Sequence, residues 1–193
     1  MNKIFLLLAA CSTFCGFEKL DSKYWIQYGN PEAESQAIEY FSFSCPQCLE
    51  FFQKDFPAIR EEYIDSGALH WAFHPDPADL TTLQAMICMS RLKPEHKALF
   101  LEAIMDHLGK MKSNEQGGLL MQAAMEVFRD PIPALEDLDF IQKTQAFQDA
   151  YAFVAQEDVV KVIPSLEIDG HLYKEYPSKA LIDAHMHNQK RPS

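Results

Sequence analysis

Two cysteines one helical turn apart, in Cys45-Pro46-Gln47-Cys48, are the side chains of this sequence best suited to chemistry. They follow an apolar stretch, Ala37-Ile38-Glu39-Tyr40-Phe41, and lead straight into Leu49-Glu50-Phe51-Phe52. The pattern reads as strand, turn and helix, with both thiols in the first helical turn. Unpaired backbone N–H groups and the helix dipole create positive potential there, which stabilises a thiolate. The thiolate is the reacting form of cysteine, so a dithiol in this place is suited to exchanging disulfides. Cys45 is the expected nucleophile, partly exposed at the helix N-cap. A free thiol of pKa ~8.5 is only a few per cent ionised at pH 7, whereas Cys-x-x-Cys thiols fall to roughly 3.5–7.5. Cys48, one turn on and on the apolar face, is expected to be buried and to resolve a mixed disulfide. The competing use of such a pair is half of a zinc site. Structural zinc needs four ligands, and neither a second cysteine pair nor any Cys-paired histidine spacing is present.

The surrounding elements follow from periodicity. Residues 37–41 are near-continuously apolar, as in a central strand covered on both faces. A helix is predicted from about Pro46 to Ser66, with Cys48, Phe52, Phe56, Ile59 and Tyr63 on one face, a kink at Pro57 and an end at Gly67. A second strand over 68–74 closes a βαβ unit with parallel strands. The next ~80 residues read as about five helices. Leu101, Ile104, Met105 and Leu108 repeat at helical spacing, as do Leu120, Ala123, Ala124 and Val127, and then Phe147, Ala150, Tyr151 and Val154. Breaks fall at Pro94, 113–118 and 130–133. Strand character returns at 162–168, and Asp169-Gly170 before His171-Leu172-Tyr173-Lys174 is a hairpin signal. Pro177-Ser178 opens a last helix. The order βαβ, helical block, ββα makes one α/β unit interrupted by helices. The expected divisions are 1–10 as an export signal, 24–75 plus 159–190 as the α/β domain, and 76–158 as the helical insertion.

Composition narrows the function. With 48% hydrophobic residues the chain can bury a full core, and its net charge of -11 disfavours nucleic acid and anionic membrane surfaces as partners. Met1-Asn2-Lys3 followed by Ile4-Phe5-Leu6-Leu7-Leu8-Ala9-Ala10 reads as an export signal, too short to span a bilayer. Leu8-Ala9-Ala10-Cys11 also matches a bacterial lipobox, in which Cys11 would take lipid. The plainer reading is a secretory signal cut near Ala10 or Gly16. Either places the protein in an oxidising, extracytoplasmic compartment where disulfides persist. Of five cysteines, Cys15 is left unmatched, and Cys88 sits in the apolar run Ala85-Met86-Ile87-Cys88-Met89 as a small core residue. Met86 and Met89 beside Cys88 admit a soft copper site, although methionines on a helix are more often core filler.

Glu39-Tyr40-Phe41-Ser42-Phe43-Ser44-Cys45-Pro46-Gln47-Cys48 resembles the active-site segment of the DsbA-like thiol-disulfide oxidoreductases. That family is a thioredoxin fold with a helical insertion between its halves. Pro57 resembles the family's kinking proline, Ile163-Pro164 its cis-proline loop, and Gly29-Asn30-Pro31-Glu32-Ala33 its lead-in. The resemblance covers about residues 24–187 and is specific at 39–48 and 162–170. It implies a cis Pro164 beside the dithiol and an Ile163 backbone free to pair with a substrate peptide. Pro46 and Gln47 would contact substrate, and Glu39 would be buried as a proton relay for Cys48. The departure is Gln47, where the most oxidising members carry histidine, because glutamine supplies no positive charge to the thiolate.

The expected function is therefore oxidation of dithiols in exported proteins, without a cofactor or metal. Reduced exported proteins would be the substrates, and a membrane redox partner would reoxidise the pair. A monomer, periplasmic and held by lipid if Cys11 is modified, fits these readings. A reductase or isomerase of the same fold is the near alternative, and isomerases of this kind usually carry a dimerisation domain that residues 11–30 cannot supply. A copper-binding protein or chaperone on this fold is the distant one.

Overall fold

The computed structural model describes residues 23–76, 79–109, 143–155 and 162–189, and the element labels below number what lies within them. At the centre lies β2 (Ser35–Phe41), paired in parallel with β3 (Leu69–Pro75) so that Ser35 meets Leu69 and Phe41 meets Pro75. The segment between them crosses over as helix, as a parallel pair requires. On the other side of β2 runs β4 (Ser165–Ile168), antiparallel, followed by β5 (His171–Tyr173). The fifth strand, β1 (Ile26–Tyr28), pairs antiparallel with the outer edge of β3, giving the order β1-β3-β2-β4-β5. β1 escapes sequence periodicity because three residues are too few to show a period. Its pairing with β3 and the burial of Tyr24, Trp25, Ile26 and Tyr28 hold it.

The crossover helix is segmented where a single kinked helix was expected. α1 (Pro46–Lys54) ends at Asp55, α2 (Phe56–Ile59) carries Pro57 in its first turn, and a π-helical turn (Arg60–Ile64) finishes the run. Proline fits a first turn, where its missing N–H has no partner to lose. Asp55 sits at the break for a second reason. Its two carboxylate oxygens accept from the Tyr176 hydroxyl at 3.0 Å and the Lys179 N–H at 2.9 Å, which caps the last helix, α6 (Lys179–Gln189). The predicted apolar face survives the break, since Cys48, Phe56, Ile59 and Tyr63 are buried, with Phe52 half-buried against the same core. Phe56 is the hub: its ring lies 5.2 Å from Tyr28, 5.7 Å from Trp71 and 4.9 Å from Phe73, joining α2 to β1 and β3.

Between β3 and β4 the described residues are helical: α3 (Leu80–Met89), α4 (Pro94–Gly109) and α5 (Gln145–Ala155). Two predicted helices anchored at Leu101 and Phe147 are thereby present. The one around Leu120–Val127, with the breaks at 113–118 and 130–133, lies outside the described residues, as do the export signal, Cys11 and Cys15. Glu102 on α4 accepts from Arg60 at 2.8 Å and from the Tyr28 hydroxyl at 3.3 Å, fastening the insertion to the sheet domain. Met86, Cys88 and Met89 are fully buried in the core, the setting of packing residues.

The hairpin strand is shorter than predicted, since 162–164 are not paired and β4 begins at Ser165. Asp169 and Gly170 take positive φ of 51° and 79°, the pair a type I′ turn requires. Gly29, at the end of β1, also has positive φ (84°), and a Cβ there would lie 2.8 Å from Ile64 Cγ2 and 2.9 Å from the Leu69 carbonyl oxygen. Backbone strain and this contact act together, so Gly29→Ala should destabilise the fold by about 2–3 kcal/mol, read as a lowered midpoint in urea unfolding at unchanged slope.

Candidate active site

Cys45 is the N-cap of α1, with extended backbone (φ -83°, ψ 113°), and its sulfur accepts the Cys48 N–H at 3.2 Å. Its own N–H is bonded to the Ser42 carbonyl at 3.1 Å, and its carbonyl takes the first helical bond from Leu49 at 3.1 Å. Cysteine here replaces the usual Ser or Asp cap, so a thiol satisfies an orphan helix N–H. The thiol is half-buried, whereas Cys48 is 1% exposed and packs in the core. Pro46 and Gln47 between them are exposed.

The two thiols are driven apart in acidity. A hydrogen bond from the Cys48 thiol is the main force lowering Cys45, and burial opposes it. The Cys48 and Gln47 amides add to the lowering and bring the Cys45 pKa from 9.0 to about 6. The same hydrogen bond, burial and the negative Glu39 push Cys48 far upward. At neutral pH the reduced pair is therefore a Cys45 thiolate hydrogen-bonded by a neutral Cys48 thiol.

Beneath the pair lies Glu39, in the middle of β2 between Phe73 of β3 and Leu166 of β4. It is 1% exposed, and burial, with the Cys45 charge, raises its pKa well above 4.5. Its Oε2 has no hydrogen-bond partner among the described residues. A buried carboxyl without donors favours its protonated form.

Pro164 is buried and its peptide with Ile163 is cis. Ser165 is in register with Tyr40, so Pro164 sits level with the end of β2 from which the Ser42–Cys45 turn departs. Ile163 is half-buried against the core, and Val162 beside it is exposed. The fold thus brings Cys45, Cys48, Glu39 and the Ile163–Pro164 loop to one end of the sheet.

A family profile described as Thioredoxin matches residues 21–186. The chain belongs to the thioredoxin family. Its fold is that of DsbA-type structures: oxidised BdbD of Bacillus subtilis superposes with a TM-score of 0.69 at 19% identity, covering 86% of this chain and 93% of that one. α-DsbA1 of Wolbachia pipientis gives 0.69 at 20% identity over 85% and 89% of the two chains. DsbA of Chlamydia trachomatis gives 0.62 at 16% over 87% and 92%. In sequence, a candidate protein-disulfide oxidoreductase of Rickettsia typhi is 34% identical over 59 residues, 31% of this chain and 22% of its own length. The chain thus spans about a fifth of the curated relatives it matches.

One set of site residues was not visible beforehand. Asp79 caps α3 and also binds Ser42, next to the motif. Asp79 lies 31 residues beyond Cys48, and a lone Asp before an apolar run signals only a helix start.

Alkylation of the reduced thioredoxin-family protein should label Cys45 with a rate that rises with pH about a midpoint of about 6, while Cys48 stays unlabelled; peptide mass mapping reads both. Glu39 takes up a proton on folding, because its folded pKa is the higher one. Its contribution is whole below the unfolded value of about 4.5 and declines as pH rises toward the folded value. Glu39→Gln should therefore flatten the loss of stability that the reduced protein shows as pH rises above about 4.5. Denaturant melts at several pH values check this.

Proposed function

We propose that the protein is an exported thiol-disulfide oxidoreductase of the DsbA type, and that it acts as a dithiol oxidase. The observation that carries the reading is the Cys45 sulfur held at the start of α1 by the Cys48 N–H, with Cys48 buried behind it. In the oxidised protein, a substrate thiolate attacks Cys45 Sγ of the Cys45–Cys48 disulfide. The S–S bond breaks, and Cys48 leaves with the electron pair and takes a proton, for which the Glu39 carboxyl is the buried source. The substrate's second thiolate then attacks its own sulfur in the mixed disulfide and releases Cys45 as a thiolate. Two electrons pass from substrate to enzyme, and reoxidation by a membrane redox partner closes the cycle.

Thiolate stability supports this direction. Whatever holds Cys45 as an anion stabilises the reduced form and makes the disulfide a stronger oxidant, and 30 mV corresponds to about 1.4 kcal/mol. The shift of Cys45 to about 6 supports oxidation. The Ile163 backbone beside Pro164 is offered to an extended substrate peptide as an added strand. Substrates would be reduced exported proteins, met in an extracytoplasmic compartment, with Cys11 as the lipid attachment point if the protein is anchored. Among the described residues no helix is long and apolar enough to cross a membrane.

The reduction potential in glutathione buffers should lie well above that of thioredoxin, about -270 mV. A value at or below that level would sink the oxidase direction and leave a reductase. Cys45→Ala should abolish oxidation of a dithiol peptide outright. A variant that still oxidised the peptide would remove Cys45 from its role.

A further inference from the structure

The turn that presents Cys45 is tied to the helical insertion by one carboxylate. Asp79 Oδ2 accepts from the Ser42 hydroxyl at 2.5 Å and the Thr82 hydroxyl at 2.8 Å, while Oδ1 accepts the Thr82 N–H at 2.9 Å as the cap of α3. Thr82 Oγ1 in turn accepts the Phe43 N–H at 3.0 Å, and Ser42 Oγ accepts the Ser44 N–H at 3.1 Å. Ser42 and Ser44 also pair through their hydroxyls at 2.9 Å, and the Ser42 carbonyl holds the Cys45 N–H. Each of residues 42 to 45 is therefore linked, directly or through one neighbour, to Asp79 or Thr82. Burial acts to raise Asp79, but hydrogen bonds from Ser42, the Thr82 amide, Ser44 and the Thr82 hydroxyl outweigh it, and the carboxyl is held below its usual range as an anion.

We propose that Asp79 is a positioning residue for Cys45: it clamps the 42–45 turn and sets a fixed negative charge against the thiolate, making the disulfide a weaker oxidant than α1 alone would. The inference rests on Cys45 being the nucleophile. Two titratable groups act on the Cys45 sulfur: Cys48 of α1, which stabilises the anion, and Asp79 at α3, whose negative charge opposes it, while the Cys45 charge in turn raises the buried Glu39 of β2. Burial favours a protonated, uncharged Glu39, whereas Asp79 stays charged, so Asp79 is the permanent brake. No bond is made or broken at Asp79. It alters the balance between the disulfide and the form with Cys45 as thiolate and Cys48 as thiol.

Asp79→Asn and Asp79→Ser remove the charge but keep a residue able to cap α3. In the full chain, either should lower the midpoint of Cys45 alkylation against pH. Either should also move the glutathione equilibrium roughly two- to tenfold toward the reduced protein, tenfold being about 30 mV. If the variant that folds lowers the melting temperature but leaves both readouts in place, Asp79 is a helix cap and no more, and the proposal is overturned. A midpoint moved upward overturns it equally. Peptide mapping separates this from failure of the underlying reading: label on Cys48 in the unmodified protein removes Cys45 as the nucleophile, whatever Asp79 does.

Discussion

A hydrogen bond from a backbone N–H to the sulfur of Cys45 is the constraint on which the rest depends. It exists only because Cys45 occupies the cap position of α1, and that position exists only because β2 ends at Phe41 and the chain turns through Ser42–Cys45 before the helix begins. The sheet aims α1, the core hides Cys48, and the Cys48 and Gln47 amides face the half-buried Cys45 thiol. An anion at Cys45 then has amide and thiol donors on the protein side, while one at Cys48 is buried beside Glu39 and the Cys45 charge. The difference in acidity is a difference in surroundings a few ångströms apart.

Glu39 shows the cost of this arrangement. A carboxyl in the middle of the central strand, with one oxygen lacking a donor, is unfavourable for folding and would be replaced by an apolar residue if packing were the only demand. Its burial beside the dithiol makes sense under the proposed mechanism, in which a protonated acid there supplies the proton that Cys48 takes when it leaves the disulfide. Local conflict with the packing rules beneath a pair of thiols is the pattern expected of a functional site.

Much of the fold was legible in the sequence because its signals are local. The apolar run of β2, the helical face from Cys48 to Tyr63 and the Asp169-Gly170 hairpin each follow from residue order and steric preference. The dithiol was legible for the same reason, since the motif and its strand–turn–helix setting are contiguous. What failed were features decided by distant partners. β1 is three residues whose pairing with β3 gives them their conformation. The helix break at Asp55 reflects the demand of α6, more than a hundred residues later, for a cap. β4 starts late because 162–164 serve the loop before it.

The residue types and spacing determined that this chain carries a reactive dithiol at a helix start inside an α/β fold interrupted by helices. Charge, periodicity and turn chemistry act over a few residues, and a sequence displays them directly. Only the tertiary structure decided what surrounds the dithiol: that Glu39 is buried close enough to feel the Cys45 charge, that Pro164 comes level with the end of β2, and that Asp79 reaches back from the insertion to hold the turn. Those are contacts between residues 31 to 119 positions away from the cysteines or facing inward from a strand. Coulombic and hydrogen-bond energies depend on distances in space, which separation along the chain does not encode.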